Sequence, residues 1–168
     1  MWELGIIVSD SGEVIVRPGM TIDELLKTTP GHEARVSETG PGWKRVELGP
    51  ITIAGYCDFY MAVYCNECRV QTFDINLGDE AVKRLWQGQS ADAELNFYRA
   101  LVEKETGHKS PASFDWGAVA AFKDHWTLLP SISFRYGNMT STNHGIWKRV
   151  GRFMNRLDQW LTRRFPPN

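Results

Sequence analysis

The stretch from Trp43 to Leu77 constrains this chain more than any other. β-Branched and aromatic residues dominate it, and its apolar positions recur every second residue. Cys57, Phe59, Met61 and Val63 share one face of the run 56–65, and Phe73, Ile75 and Leu77 share one face of the run 68–77. A period of two marks strands with one buried face, so the runs read as antiparallel neighbours joined at Cys65-Asn66-Glu67-Cys68. Pairing across a plain Asn66-Glu67 turn would set Val63 against Val70 and Met61 against Thr72, with the two apolar sets on opposite faces. A slip of one residue sets Phe59 opposite Ile75 and Met61 opposite Phe73. That predicts a bulged or odd-length connection around residues 66–68.

Shorter elements flank this hairpin. Leu4, Ile6 and Val8 alternate, Ser9-Asp10-Ser11-Gly12 is turn chemistry, and Val14-Ile15-Val16 follows, which predicts an opening hairpin. Thr21 with Glu24 forms a capping box for a short helix through Leu25 and Leu26. Residues 31–42 are polar and aperiodic, and read as loop. Ser90 caps a middle helix with Asp92 and Glu94 in its first turn, an apolar stripe of Leu95, Tyr98, Leu101 and Val102, and Gly107 at its end. Residues 116–122 and 131–136 read as strands. Ile146, Trp147, Val150, Phe153, Met154, Leu157, Trp160 and Leu161 predict a last amphipathic helix over 143–164, stopped by Pro166-Pro167. The expected fold class is α+β: a mostly antiparallel sheet with a short N-terminal helix, a middle helix and a long C-terminal amphipathic helix. Its 168 residues suit a single domain, with a sheet-containing body over 1–136 and the C-terminal helix over 143–165.

Charge is unevenly placed. From Gly145 onward there are six basic residues and one acid, whereas residues 1–144 hold 13 bases and 19 acids, a net of −6. An acidic body argues against direct nucleic-acid binding through the main surface. No apolar run reaches the roughly 18–20 residues of a membrane-spanning helix. Met1-Trp2-Glu3-Leu4-Gly5 lacks the basic and apolar regions of a secretory signal, so a cytoplasmic location is expected. Three cysteines without such a signal read as free thiols.

The motifs that could carry chemistry are few. Cys65-Asn66-Glu67-Cys68 supplies half of a zinc site, but the remaining thiol, Cys57, and the single histidines His32, His108, His125 and His144 do not complete it by spacing. The pair also lies at a strand–turn–strand rather than at a helix N-terminus that would activate a thiol, so a plain hairpin is the expected reading. His125 beside Asp124 is either a general base or a solvated loop residue, and no nucleophile can be tied to it. No phosphate loop, dinucleotide fingerprint or nucleophile elbow is present. The expectation is therefore no catalytic residue, no cofactor and no metal. The tryptophans have two readings: Trp43, Trp86, Trp116 and Trp126 fill the core, which is the expected one, or build a ligand box. The C-terminal helix likewise either packs on its own sheet or lies on an anionic membrane.

Phe114-Asp115-Trp116-Gly117-Ala118-Val119, then Asp124, then Ser131-Ile132-Ser133-Phe134-Arg135-Tyr136, resembles a family of small bacterial proteins in which a Trp-Gly turn leads a strand, an Asp follows and a last strand ends in Tyr. Pro18-Gly19-Met20-Thr21, Gly55, and Trp86 with Ser90 and Glu94 fit as well. The family resembles immunity proteins of contact-dependent growth inhibition and related polymorphic-toxin systems. The chain departs from it at the Cys-Asn-Glu-Cys turn, where a Gly-containing turn is usual, and in the extension after Gly145. The resemblance implies a protein that binds and neutralises a cognate toxin, a nuclease being the expected class, encoded by a neighbouring gene. The expected contacts are acids in loops or first helical turns: Asp79, Glu80, Asp92 and Glu94. The competing reading is a small-molecule or anionic membrane-surface binding module using the aromatic residues and the basic C-terminal helix.

Overall fold

A computed structural model describes residues 1–28, 33–78, 91–123 and 129–137. These belong to one compact unit, Met1–Gly137. After a 3-10 turn at Trp2–Leu4, a small hairpin pairs β1 (Ile7–Val8) with β2 (Val14–Val16), and α1 (Ile22–Lys27) follows. Then come four consecutive strands, β3 (Glu33–Gly40), β4 (Trp43–Ile53), β5 (Tyr56–Asn66) and β6 (Arg69–Leu77). Helix α2 (Ala91–Thr106) precedes β7 (Ala112–Phe114), β8 (Gly117–Lys123) and β9 (Pro130–Tyr136). The seven later strands form one antiparallel sheet in the order β3-β4-β5-β6-β9-β8-β7. The last strand thus lies inside the sheet, beside β6.

One row of side chains crosses that sheet without a break. Register pairs Val36 with Val46, Val46 with Val63, Val63 with Phe73, Phe73 with Phe134, Phe134 with Val119 and Val119 with Ala112. All but Val36 are buried. Phe73 and Phe134 stack with ring centroids 4.6 Å apart, and Trp2 meets Phe134 edge-on at 5.2 Å. Helix α2 packs on β8 and β9 with Tyr98, Leu101 and Val102, while Ile7, Ile15, Val16, Met20 and Leu25 complete the core. Each buried aliphatic or aromatic side chain contributes about 1.5–3 kcal/mol of gross transfer energy, so this row and its covering dominate the fold.

Several expectations are met. A hairpin opens the chain, though its first strand is only Ile7–Val8, with Ile7 buried and Leu4 exposed in the 3-10 turn rather than in line with Ile6 and Val8. The Thr21–Glu24 capping box with both of its hydrogen bonds and the α2 stripe are present, and Gly107 terminates α2 at φ +70°. Others need correction. The α+β class does not hold: the described residues form a mostly antiparallel β structure of nine strands, with α2 the one helix among them longer than six residues. The expected C-terminal helix, 143–165, falls outside the described residues, as do Ser90 and Trp86. Residues 33–40, read as loop, are strand β3. The expected bulge exists, between Tyr64 and Cys65, but the central turn residues are Glu67 and Cys68, both at positive φ as a two-residue hairpin turn requires. Phe59 therefore faces Leu77, and Met61 faces Ile75, two residues from the predicted register. The displacement is even, so every apolar side chain keeps its face. No helix among the described residues is long and apolar enough to cross a membrane.

Candidate functional site

Two hairpin tips lie side by side at one end of the sheet. Pairing of Trp43 with Asn66 and of Lys44 with Cys65 brings the Pro41-Gly42 turn next to the Glu67-Cys68 turn. The approach is close: a Cβ added to Gly42, at φ +73°, would stand 3.7 Å from Asn66 Oδ1. Between the tips opens a groove of about 360 Å³ lined by Glu38, Pro41, Trp43, Lys44, Cys65, Glu67 and Cys68, among others. The β5–β6 tip is held from the side by the start of α1. The Ile22 N–H donates to Cys68 O, the Val70 N–H donates to Met20 O, and Arg69 Nη1 donates to Gly19 O, each at 2.9 Å. The capping box that opens α1 therefore also anchors one wall of the groove.

The chemistry inside is unequal. Cys65 is 1% exposed at the groove floor. Burial pushes its thiol up to about 11; the neighbouring Cys68 adds to that rise and Lys44 opposes it. A thiol so placed stays protonated at neutral pH and is neither a nucleophile nor a metal ligand in that state. Cys68 is exposed on the turn. Among the described residues no group of three or more His, Cys, Asp and Glu side chains converges to hold an ion. The rim presents two carboxylates, Glu38 and Glu67, against one ammonium, Lys44.

Trp43 is the residue that the sequence placed wrongly. Expected in the core, it is 36% exposed at the groove. A signal was there: Trp43 lies three residues before Val46 and five before Leu48, so it is out of phase with the buried face and in phase with Arg45 and Glu47. Trp116 has a structural role. It is half-buried, stacks on Phe114 at 5.4 Å, and its indole N–H donates to Glu3 O at 2.7 Å. Tyr136 does the same from the last strand, its buried hydroxyl donating to Gly5 O at 2.5 Å. Gly117, between them, must be glycine: at φ +146° a Cβ would fall 1.9 Å from Arg135 O. The residues behind the Trp-Gly and final-Tyr resemblance thus grip the N-terminal segment. They do not line the groove.

Of the acids expected to contact a partner, the two described ones lie elsewhere. Asp92 is exposed in the first turn of α2, 3.4 Å from Lys123 Nζ, and Glu94 accepts a 2.9 Å hydrogen bond from the Tyr98 hydroxyl. Neither lines the groove. Asp79 and Glu80 fall outside the described residues, as do Trp126, His32, His125 and His144.

No protein-family model matches the chain, and no curated protein or solved structure matches it. The groove itself combines an aromatic face, a turn-borne thiol and two carboxylates around one ammonium. That set suits recognition of a cationic protein surface: the indole supplies contact area with little side-chain entropy to lose, and the carboxylates supply charge complementarity.

Proposed function

We propose that this protein binds a cognate bacterial toxin domain, a nuclease with a basic cleft, and neutralises it by direct, non-catalytic contact. The observation that carries the reading is the partly exposed Trp43, which lines one groove at the hairpin tips together with Glu38 and Glu67. A tryptophan on a rigid strand with acids at its rim has the composition of a binding hot spot. The excess of acids over bases in residues 1–144 would steer association with a basic partner. The resemblance around Trp116, Gly117 and Tyr136 to immunity proteins supports the same class. Asp79, Glu80, Asp92 and Glu94 belong to this proposal as secondary contacts.

Co-expression with the product of the neighbouring gene tests it, read by rescue of growth and by co-purification. Trp43→Ala is expected to weaken that complex by about 2 kcal/mol, roughly thirtyfold in Kd, with the melting temperature little changed. Glu38→Lys with Glu67→Lys is expected mainly to slow association. A neighbouring product that neither binds nor is neutralised ends the immunity reading. The second reading, a small-ligand module, is favoured by the groove volume, which falls in the range of about 300–1,000 Å³ typical of ligand pockets. Quenching of Trp43 emission by a metabolite fraction, abolished in Trp43→Phe, would establish it instead.

A further inference from the structure

The seven-strand row of core side chains does not end in shelter. It runs buried from Ala112 to Val46 and emerges at Val36, which is 49% exposed on strand β3. Every residue from Ala34 to Gly40 is exposed, and no described strand pairs with the outer side of β3. Soluble proteins guard such edges with proline, charged side chains, short strands or bulges. Here the edge is eight residues long, carries no proline, holds charges at Glu33, Arg35 and Glu38 with none at its centre, Val36, and has its one irregularity at the far end, between Glu38 and Gly40.

We propose that this edge is an interface between two copies of the chain, which pair antiparallel through β3 about a twofold axis at Val36. The choice of occupant follows from register. A twofold axis normal to the sheet keeps each face on its own side, so paired residues must have the same parity. Three central registers satisfy this. One sets Arg35 against Arg35 of the second copy, opposing two guanidinium groups. Another sets Ser37 against Ser37 and therefore Val36 against Glu38. The third sets Val36 against Val36, Arg35 against Ser37, Ala34 against Glu38 and Glu33 against Thr39. It alone joins the apolar row and opposes no like charges. In that register the Phe73–Val63–Val46–Val36 row continues into its own mirror sequence, and each Glu38 keeps Lys44 beside it on β4. The edge is self-complementary in its apolar pattern and opposes no like charges. A fourteen-stranded continuous sheet results, with the two Trp43 grooves at separate ends of the paired strands.

Sedimentation equilibrium of the full chain tests this without any toxin. A concentration-dependent dimer is expected for the native sequence. Val36→Lys is expected to sediment as a monomer, since it sets two ammonium groups face to face at the axis, and Val36→Glu likewise. Mixing the two variants is expected to restore a heterodimer. Val36 is half exposed in a single copy, so circular dichroism should show both variants folded, and Ser37→Pro gives an independent block of the edge. A native chain that stays monomeric at its solubility limit overturns the proposal, as does a dimer indifferent to Val36→Lys and Ser37→Pro. A monomer whose toxin binding is lost in Val36→Lys also overturns it, because the edge then serves the toxin instead. The proposal does not depend on the toxin-binding reading, which Trp43→Ala tests separately.

Discussion

Cys65 and Cys68 stand three positions apart and in opposite surroundings, one at the groove floor and the other exposed on the turn. Their chemistry should differ accordingly. Because burial raises the Cys65 thiol from its ordinary 9.0 to about 11, the folded protein holds that proton more tightly than the unfolded chain does. The associated stability is fully present below pH 9 and is lost as pH rises toward 11. In a Cys57→Ser background, a thiol reagent at neutral pH is expected to modify Cys68 promptly and Cys65 only on unfolding. Replacing Cys65 by Ala should flatten part of the alkaline decline in a denaturation series run through that window. Fast modification of both thiols at neutral pH would contradict the assignment. This pair was legible in the sequence as a hairpin turn, but not as a buried and an exposed partner. Burial at position 65 depends on which strand flanks β5, and that strand, β4, carries Lys44 at the contact. Trp43 was misread for a different reason: a large aromatic residue was counted as core without asking whether its phase matched Val46 and Leu48.

Tyr98 joins two successive described elements across 21 positions of chain. Its hydroxyl accepts from the Leu77 N–H at 2.7 Å and donates to Glu94 at 2.9 Å, so it ties α2 to the end of β6. Burial pushes its phenol well above the ordinary range, and its aromatic ring is fully enclosed. Tyr98→Phe keeps the ring but leaves the Leu77 N–H without that partner, and is expected to cost about 1–3 kcal/mol in a urea titration. An unchanged midpoint would mean that the bond adds nothing beyond packing. The α2 stripe itself was visible because Tyr98, Leu101 and Val102 are spaced for one helix face. Strand β3 was invisible because its residues from Ala34 to Gly40 are all exposed, and with neither face buried there no period-two signal arises. Only its pairing with β4 makes it a strand. The β5–β6 faces were right although the register was not, since parity survives an error of two.

At the scale of the molecule, the predominance of antiparallel sheet was readable and the strand order was not. Sequence neighbours account for β3 through β6, but β9 lies against β6 with β8 and β7 beyond it, so about sixty residues separate the chain's central pair. Nothing local encodes that choice; it is made by Phe134 stacking on Phe73 and by the alternation of Ile132, Phe134 and Tyr136. Both described helices, α1 and α2, were readable from the Thr21–Glu24 capping box and from the spacing of Tyr98, Leu101 and Val102. The grip of Trp116 and Tyr136 on Glu3 and Gly5 has a consequence for biosynthesis. Glu3 and Gly5 find their partners 113 and 131 positions later, and Trp2 meets Phe134, so this segment has no permanent seat until the chain through Tyr136 has left the ribosome. Contacts of such long range are the ones whose loop-closure entropy slows folding. Stalled nascent chains ending shortly after β8 should remain protease-sensitive throughout, and resistance should arrive in one step once β9 clears the exit tunnel. A factor that shields hydrophobic nascent segments would thus have the entire length of β4, β5 and β6 to hold before this protein can hide them itself.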